Sequence, residues 1–279
     1  ATVSPERRKG PTRRRLADTE DKVKVLYYGD YGTGKTTALA TLARRGKVLF
    51  VSSESGLKRR ALADPALDIP VDNIEFVDDV SFDALNALVW ELRDEFDRDP
   101  NAYAGVCIDS ITEVQSLMLQ AEVDEMVDKA ARRGVEIDPF SGENTDWVRN
   151  TAAMRMVIRS YKELPCHVGF AALLRSDMDK DGMTTYGPQL TPKIAGDLGG
   201  FVDIVLAMQP VVLPREGARS RSPIYSAFTC RAGRWRAKDR FRVLPSQLVE
   251  PSFDRLIDFV DGAVTRATDP LRRALRDRE

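Results

Sequence analysis

The sequence predicts an α/β fold: a mostly parallel central sheet flanked by helices, with antiparallel strands toward the C-terminus. Three observations carry this expectation. Four short, largely apolar runs, Val23–Tyr28, Val48–Ser52, Val106–Ile108 and Val168–Leu174, read as strands, and the uninterrupted last one as a strand covered on both faces. Segments with helical spacing alternate with them, which is the layout of βαβ units. A glycine-rich turn joins the first run directly to a helical segment.

The elements follow in order. Residues 1–20 hold Arg7, Arg8, Lys9, Arg13, Arg14 and Arg15 with two prolines and almost nothing apolar, so they are expected to form a flexible basic arm. The core is expected over 21–262. Within it, Thr36–Arg45 has helical composition and precedes the second apolar run, while Leu85, Leu88, Val89 and Leu92 recur at helical spacing. Ile111–Arg133 reads as a long helix, broken over 134–146 by Gly134, Pro139 and Gly142, and Val148–Leu164 is helical again. Asp177–Pro192 reads as a long polar loop. Val202–Met208, Ile224–Cys230 and an Arg/Lys-rich segment to Arg242 read as antiparallel strands, and 263–279 as a charged helix or tail.

Composition narrows the chemistry. In 279 residues, 42 Lys and Arg stand against 43 Asp and Glu for a net charge of −1, so any polyanion site must be local. No apolar run approaches the roughly 18 to 20 residues that span a bilayer. The N-terminus lacks the apolar stretch of a secretory signal, so a soluble, cytoplasmic protein is expected. The three cysteines form no CxxC pair and His167 is the sole histidine, which argues against a zinc site and a His-dependent triad.

The sharpest signal is Gly29-Asp30-Tyr31-Gly32-Thr33-Gly34-Lys35-Thr36, which fits GxxxxGK[ST] between a strand and a helix. Glycines let backbone N–H groups converge on phosphate oxygens, and the helix adds the positive end of its dipole. Lys35 is expected on the β and γ phosphates of ATP, Thr36 on Mg²⁺ and Thr37 near the α phosphate. A P-loop also needs a carboxylate at a neighbouring strand end. Asp109, closing Gly105-Val106-Cys107-Ile108-Asp109, supplies one, although Asp also suits the cap of the helix beginning near Ile111. The following residue is Ser110, where ATPases of the AAA+ class carry a water-activating glutamate. The candidate base is therefore Glu54, at the end of the strand after the P-loop helix, where parallel strands open onto the same crevice. The alternative is a plain neighbour of a helix N-cap.

The P-loop, the glutamate ending the next strand and the strand ending Asp-Ser resemble the RecA-fold recombinases and DnaB-type helicases. The resemblance is closer to compact, phage-encoded RecA-like ATPases of the single-strand-annealing or recombinase type, and covers about residues 22–245. It implies a RecA-like P-loop core that uses ATP and Mg²⁺, assembles into a filament or ring on single-stranded DNA, and works in the host cytoplasm. Lys238 and Arg240 match the K-x-[KR] pair with which this group reaches the γ phosphate of a neighbouring subunit; a solvated basic strand end is the alternative. Two loops facing the assembly axis would carry the DNA, one near 132–146 with Arg132 and Arg133, the other near 175–193 with Arg175, Lys180, Tyr186 and Lys193. Cations beside an aromatic are what non-specific single-strand binding requires. Ala171-Ala172-Leu173-Leu174-Arg175 departs from the pattern, lacking the glutamine that senses the γ phosphate. Two other readings stand beside this one: an ATP-gated switch or loader acting on a protein partner, and a small-molecule P-loop kinase.

Overall fold

The computed structural model describes residue 15 and residues 21–53, 57–136, 144–178, 180–211 and 224–263. β1 (Lys24–Gly29) leads through the glycine-rich turn into α1 (Lys35–Ala40), which tightens to a 3-10 turn over Thr41–Arg45 before β2 (Val48–Ser52). There follow α2 (Arg59–Leu62), β3 (Ile74–Val77), α3 (Phe82–Arg98), β4 (Gly105–Asp109) and α4 (Ile111–Ala131). Next come α5 (Asn144–Lys162), β5 (His167–Met178), β6 (Thr184–Pro188), α6 (Pro192–Phe201) and β7 (Ile204–Val211). β8 (Ile224–Phe228), β9 (Lys238–Asp239), β10 (Gln247–Val249) and α7 (Phe253–Val260) complete the described elements.

The strand order is β10-β8-β7-β1-β5-β4-β2-β3, with β6 paired to β5 and β9 to β7. Every pairing from β7 across to β3 is parallel, whereas β8, β9, β10 and β6 join antiparallel. This is the expected α/β architecture, a mostly parallel sheet flanked by helices that turns antiparallel toward the C-terminus. Every residue of β1, β2 and β4 is buried, which explains why these strands read as largely apolar runs, with Lys24, Ser52 and Asp109 as the exceptions. Alternate side chains serve opposite faces. Leu26 and Tyr28 pack with α3, α4, α5 and α6, while Val25 and Tyr27 pack with α1 and α7.

Three local features explain how helices begin or bury. Ser81 accepts from Ala84 N at 3.3 Å at the start of α3, whose buried stripe is Leu85, Val89, Leu92 and Phe96. Ser110 caps α4 by accepting from Glu113 N at 3.3 Å. α7, which the sequence reading passed over, buries Phe253, Leu256, Ile257 and Phe259, and its Phe253 N–H donates to Thr41 Oγ1 at 2.8 Å.

Two expectations change. Val202–Met208, expected to be antiparallel, pairs in parallel with β1 from Val25 opposite Ile204 to Tyr28 opposite Ala207 and is antiparallel only to β8 and β9, because it follows the crossover helix α6 back into the sheet. Asp177–Pro192 is a β-hairpin rather than a loop, because β5 continues to Met178 and pairs with β6 from Leu174 opposite Pro188 to Met178 opposite Thr184. Asp177, Asp181 and Gly182 made the stretch look uniformly loop-like, yet only its tip turns, while Thr184, Thr185 and Tyr186 carry β-favouring side chains. Apart from Arg15 and Ala263, the basic arm and the charged helix or tail expected over 263–279 lie outside the described residues.

The histidine and cysteines are structural in placement. His167 Nδ1 accepts from Val23 N–H at 3.0 Å. Cys107 and Cys166 are buried, and burial pushes both thiols up, Cys166 to about 11, whereas Cys230 is exposed. Among the described residues no helix is long and apolar enough to cross a membrane.

Candidate functional site

The glycine-rich turn sits at the carboxyl end of β1 with its backbone drawn tight by local chemistry. Gly34 has φ +79°, and a Cβ there would stand 2.7 Å from the Tyr225 ring of β8. Only glycine meets both demands. Thr33 Oγ1 donates to Asp30 O at 2.7 Å, and Tyr31 N–H donates to Asp30 Oδ1 at 2.8 Å, leaving the Tyr31 ring 84% exposed on the crest. Lys35 is buried, and its Nζ donates to Gly29 O at 2.9 Å and Asp30 O at 2.8 Å. The ammonium is thus held inside the loop, where the backbone N–H groups and the start of α1 gather positive potential.

Thr36 Oγ1 donates to Asp109 Oδ2 at 2.5 Å. The α4 cap belongs to Ser110, so the Asp109 carboxylate faces the P-loop threonine. A hydroxyl and a carboxylate are hard oxygen donors of the kind Mg²⁺ uses, with phosphates and water completing its shell. Among the described residues no group of three or more His, Cys, Asp or Glu could hold a metal. Thr37 follows on α1.

Glu54 lies outside the described residues, but its neighbour Ser53 does not. Ser53 N–H donates to Asp109 O at 3.0 Å, and its Oγ accepts from Ser110 N at 3.0 Å and donates to Ser110 O at 3.1 Å. The end of β2 is stitched to the end of β4, with Ser52 in register with Asp109. The sequence reading missed Ser53.

Lys238 and Arg240 come together at the carboxyl end of α6. Lys238 Nζ donates to Gly199 O at 2.7 Å and Val202 O at 2.6 Å, and burial holds its ammonium below the usual lysine range. Arg240 donates to Gly200 O at 2.9 Å and pairs with Asp203 Oδ1 at 2.7 Å. Both cations satisfy helix-end carbonyls, where positive charge is favoured.

The expected DNA residues divide. Arg132 and Arg133 are exposed at the end of α4, and residues 137–143 of that segment lie outside the described residues. Arg175 pairs with Asp177 Oδ1 at 2.6 Å and donates to Leu190 O at 3.2 Å. Tyr186 stacks on Trp235, with ring centroids 4.3 Å apart and planes at 19°. Lys180 at the hairpin tip and Lys193 in the first turn of α6 are exposed.

A buried polar network also escaped the sequence reading. Gln115 Nε2 donates to Asn150 Oδ1 at 3.3 Å and Thr191 Oγ1 at 3.0 Å, while its Oε1 accepts from Thr191 N at 3.0 Å. Thr112 Oγ1 accepts from Leu173 N at 3.0 Å. These bonds tie α4, which starts beside Asp109, to α5, β5 and the cap of α6. A signal was present: Gln115 occupies the apolar stripe of Ile111, Val114 and Met118. Gln115→Leu leaves buried partners unpaired and is expected to lower unfolding free energy by about 2 kcal/mol, read from a urea titration.

Residues 21–241 match a family described as an AAA domain. No curated protein matches the chain. Among solved structures, one titled "Crystal structure of the RadB recombinase" is similar at 16% identity, covering 82% of this chain and 89% of that one with a TM-score of 0.49.

Proposed function

This chain belongs to the AAA domain family, and on that premise we propose that it is an ATP- and Mg²⁺-dependent ATPase that assembles on single-stranded DNA and promotes annealing or strand exchange in phage recombination. The observation that carries the reading is the 2.5 Å contact between Thr36 and Asp109 beside the buried Lys35. Lys35 places its charge on the β and γ phosphates, and Thr36 and Asp109 hold the metal. Mg²⁺, when bound, neutralises charge building on the transferred phosphoryl oxygens. Glu54 orients the attacking water, a role supported by Ser53, which fixes the preceding backbone against Asp109 and Ser110. Lys238 and Arg240 reach across to a neighbouring subunit's γ phosphate when copies assemble into a filament or ring, leaving the α6 carbonyls they hold in the single chain. ATPase rate with and without single-stranded DNA, alongside particle size, tests the whole reading. A rate and a size that DNA leaves unchanged count against it.

The composite site has its own test. Arg240→Ala is defective in the finger and Glu54→Gln in the base, so mixing them regenerates some complete sites. Activity of the mixture is expected to exceed the sum of the separate variants. Arg240 pairs at an exposed position, so its loss leaves the fold nearly intact and the comparison clean. Strict additivity across mixing ratios, with assembly demonstrated, removes the trans role.

DNA binding is assigned to the exposed Lys180 and Lys193, with Arg132, Arg133, Arg175 and Tyr186 beside the same strand. Because net charge is near zero, affinity comes from a local groove and should fall steeply with salt. Lys193→Ala is expected to weaken binding of all sequences alike and reduce the log-log salt slope by about 0.7. One observation favours the second reading, a switch acting on a protein partner: Arg175 and Tyr186 are already engaged by Asp177 and Trp235. Absence of single-strand binding at low salt, in a preparation that hydrolyses ATP, moves the assignment to that switch.

A further inference from the structure

A cavity of about 420 Å³ opens on the face of the sheet opposite α1. Its floor is Leu26 and Val205, which pack with the α6 side, whereas α1 packs on Val25 and Tyr27. Arg231, Arg236 and Lys238 line it, and no carboxylate does. Lys238 spends two of its N–H groups on α6 carbonyls. No carboxylate among the described residues pairs with the guanidinium of Arg231 or Arg236, although nearby Arg175 and Arg240 are both paired. Arg236 is held in place from the backbone: its N–H donates to Tyr186 O at 3.2 Å, and Tyr186 N–H donates to Arg234 O at 2.9 Å. The Tyr186 and Trp235 rings stack across the same two segments.

Three cations around an apolar floor raise the local potential, because field lines are poorly screened against low-dielectric walls. The volume is that of a small-ligand site. We propose that this cavity is a second phosphate-binding site, separate from the P-loop, in which Arg231 and Arg236 grip a phosphate through their forked donors. Guanidinium geometry matches two phosphate oxygens at once, and among the described residues no carboxylate occupies either fork. The same chemistry is offered by a free polyphosphate and by the backbone of a single strand.

The test uses the full chain carrying Lys35→Ala, which removes the P-loop ammonium. Tripolyphosphate is titrated calorimetrically, and a fluorescent oligothymidylate is followed by anisotropy. Adding Arg231→Ala with Arg236→Ala, both at exposed positions, is expected to weaken at least one probe by about tenfold or more. Gly196→Leu, at a lining position where an added Cβ meets nothing within 4 Å, is expected to weaken the same probe by filling space without removing charge. Loss confined to tripolyphosphate identifies a free polyphosphate as the ligand, and loss confined to the oligonucleotide identifies a strand backbone. Binding of neither probe, or unchanged affinity for both after these substitutions, overturns the proposal. With Lys35 intact, the double alanine chain should keep its DNA-free ATP turnover, so failure of this site is distinguishable from failure of the ATPase reading.

Discussion

Lys35→Ala is expected to reduce ATP turnover by about 100-fold or more, and Asp109→Asn to do the same by a different route. Lys35 is a buried cation whose hydrogen bonds close the loop on Gly29 and Asp30, so its removal takes away both the charge beneath the phosphates and part of the loop's support. Asp109→Asn is the cleaner variant. An amide oxygen still accepts from Thr36 Oγ1, so the contact now measured at 2.5 Å survives in kind while the negative charge is lost. The expected signature is a folded protein with an unchanged melting temperature, weakened Mg²⁺ dependence and little phosphate release. Wild-type turnover in Asp109→Asn sinks the metal assignment, and wild-type turnover in Lys35→Ala sinks the P-loop itself.

Gly169→Val is expected to be strongly destabilising, lowering unfolding free energy by about 3 kcal/mol or more. Gly169 lies in β5, paired on one side with Val25 of β1 and on the other with Cys107 of β4. A Cβ there would stand 2.3 Å from Leu39 Cδ2, 3.1 Å from the Phe253 ring and 3.3 Å from Cys107 Sγ. All three neighbours are buried, so none has free space to yield. Leu39 belongs to α1, and displacing it shifts the helix that begins with Lys35, so nucleotide affinity should fall along with the denaturation midpoint. Gly200→Ala is the control: an added Cβ meets nothing within 4 Å, and exchanging glycine for alanine in a helix should be neutral or slightly stabilising. Comparable losses in the two variants would show that close approach at Gly169 is not what matters.

The parts of this protein that are local in sequence are the parts the sequence makes legible. Eight consecutive residues build the phosphate loop, and the flanking strand and helix reveal its context. Asp109 could be found because it closes a short apolar strand, but that it faces Thr36 while Ser110 takes the helix cap is settled by three-dimensional placement. The hairpin of β5 and β6 was hidden because a few acidic and glycine residues at its tip outweighed the β-favouring side chains on its arms. Tyr186 shows a further limit. Its residue type fits base stacking, yet its partner Trp235 is 49 residues away and meets it only because β6 and the 234–236 segment exchange backbone hydrogen bonds. β3 and α7 were missed for a simpler reason: each is short, and half of β3 is polar or exposed at the sheet edge.

The distribution of thiols makes the unaltered chain ready for optical work. Cys107 and Cys166 are buried with their thiols pushed toward the protonated, unreactive form, and Cys230 is exposed. A maleimide dye should therefore attach at one position without any engineered cysteine. That position adjoins Arg231, a lining residue of the arginine-lined cavity, so the dye would stand beside it. Changes in its brightness on adding tripolyphosphate or an oligonucleotide would then follow occupancy in real time, and energy transfer between differently labelled copies would record their association in the same sample.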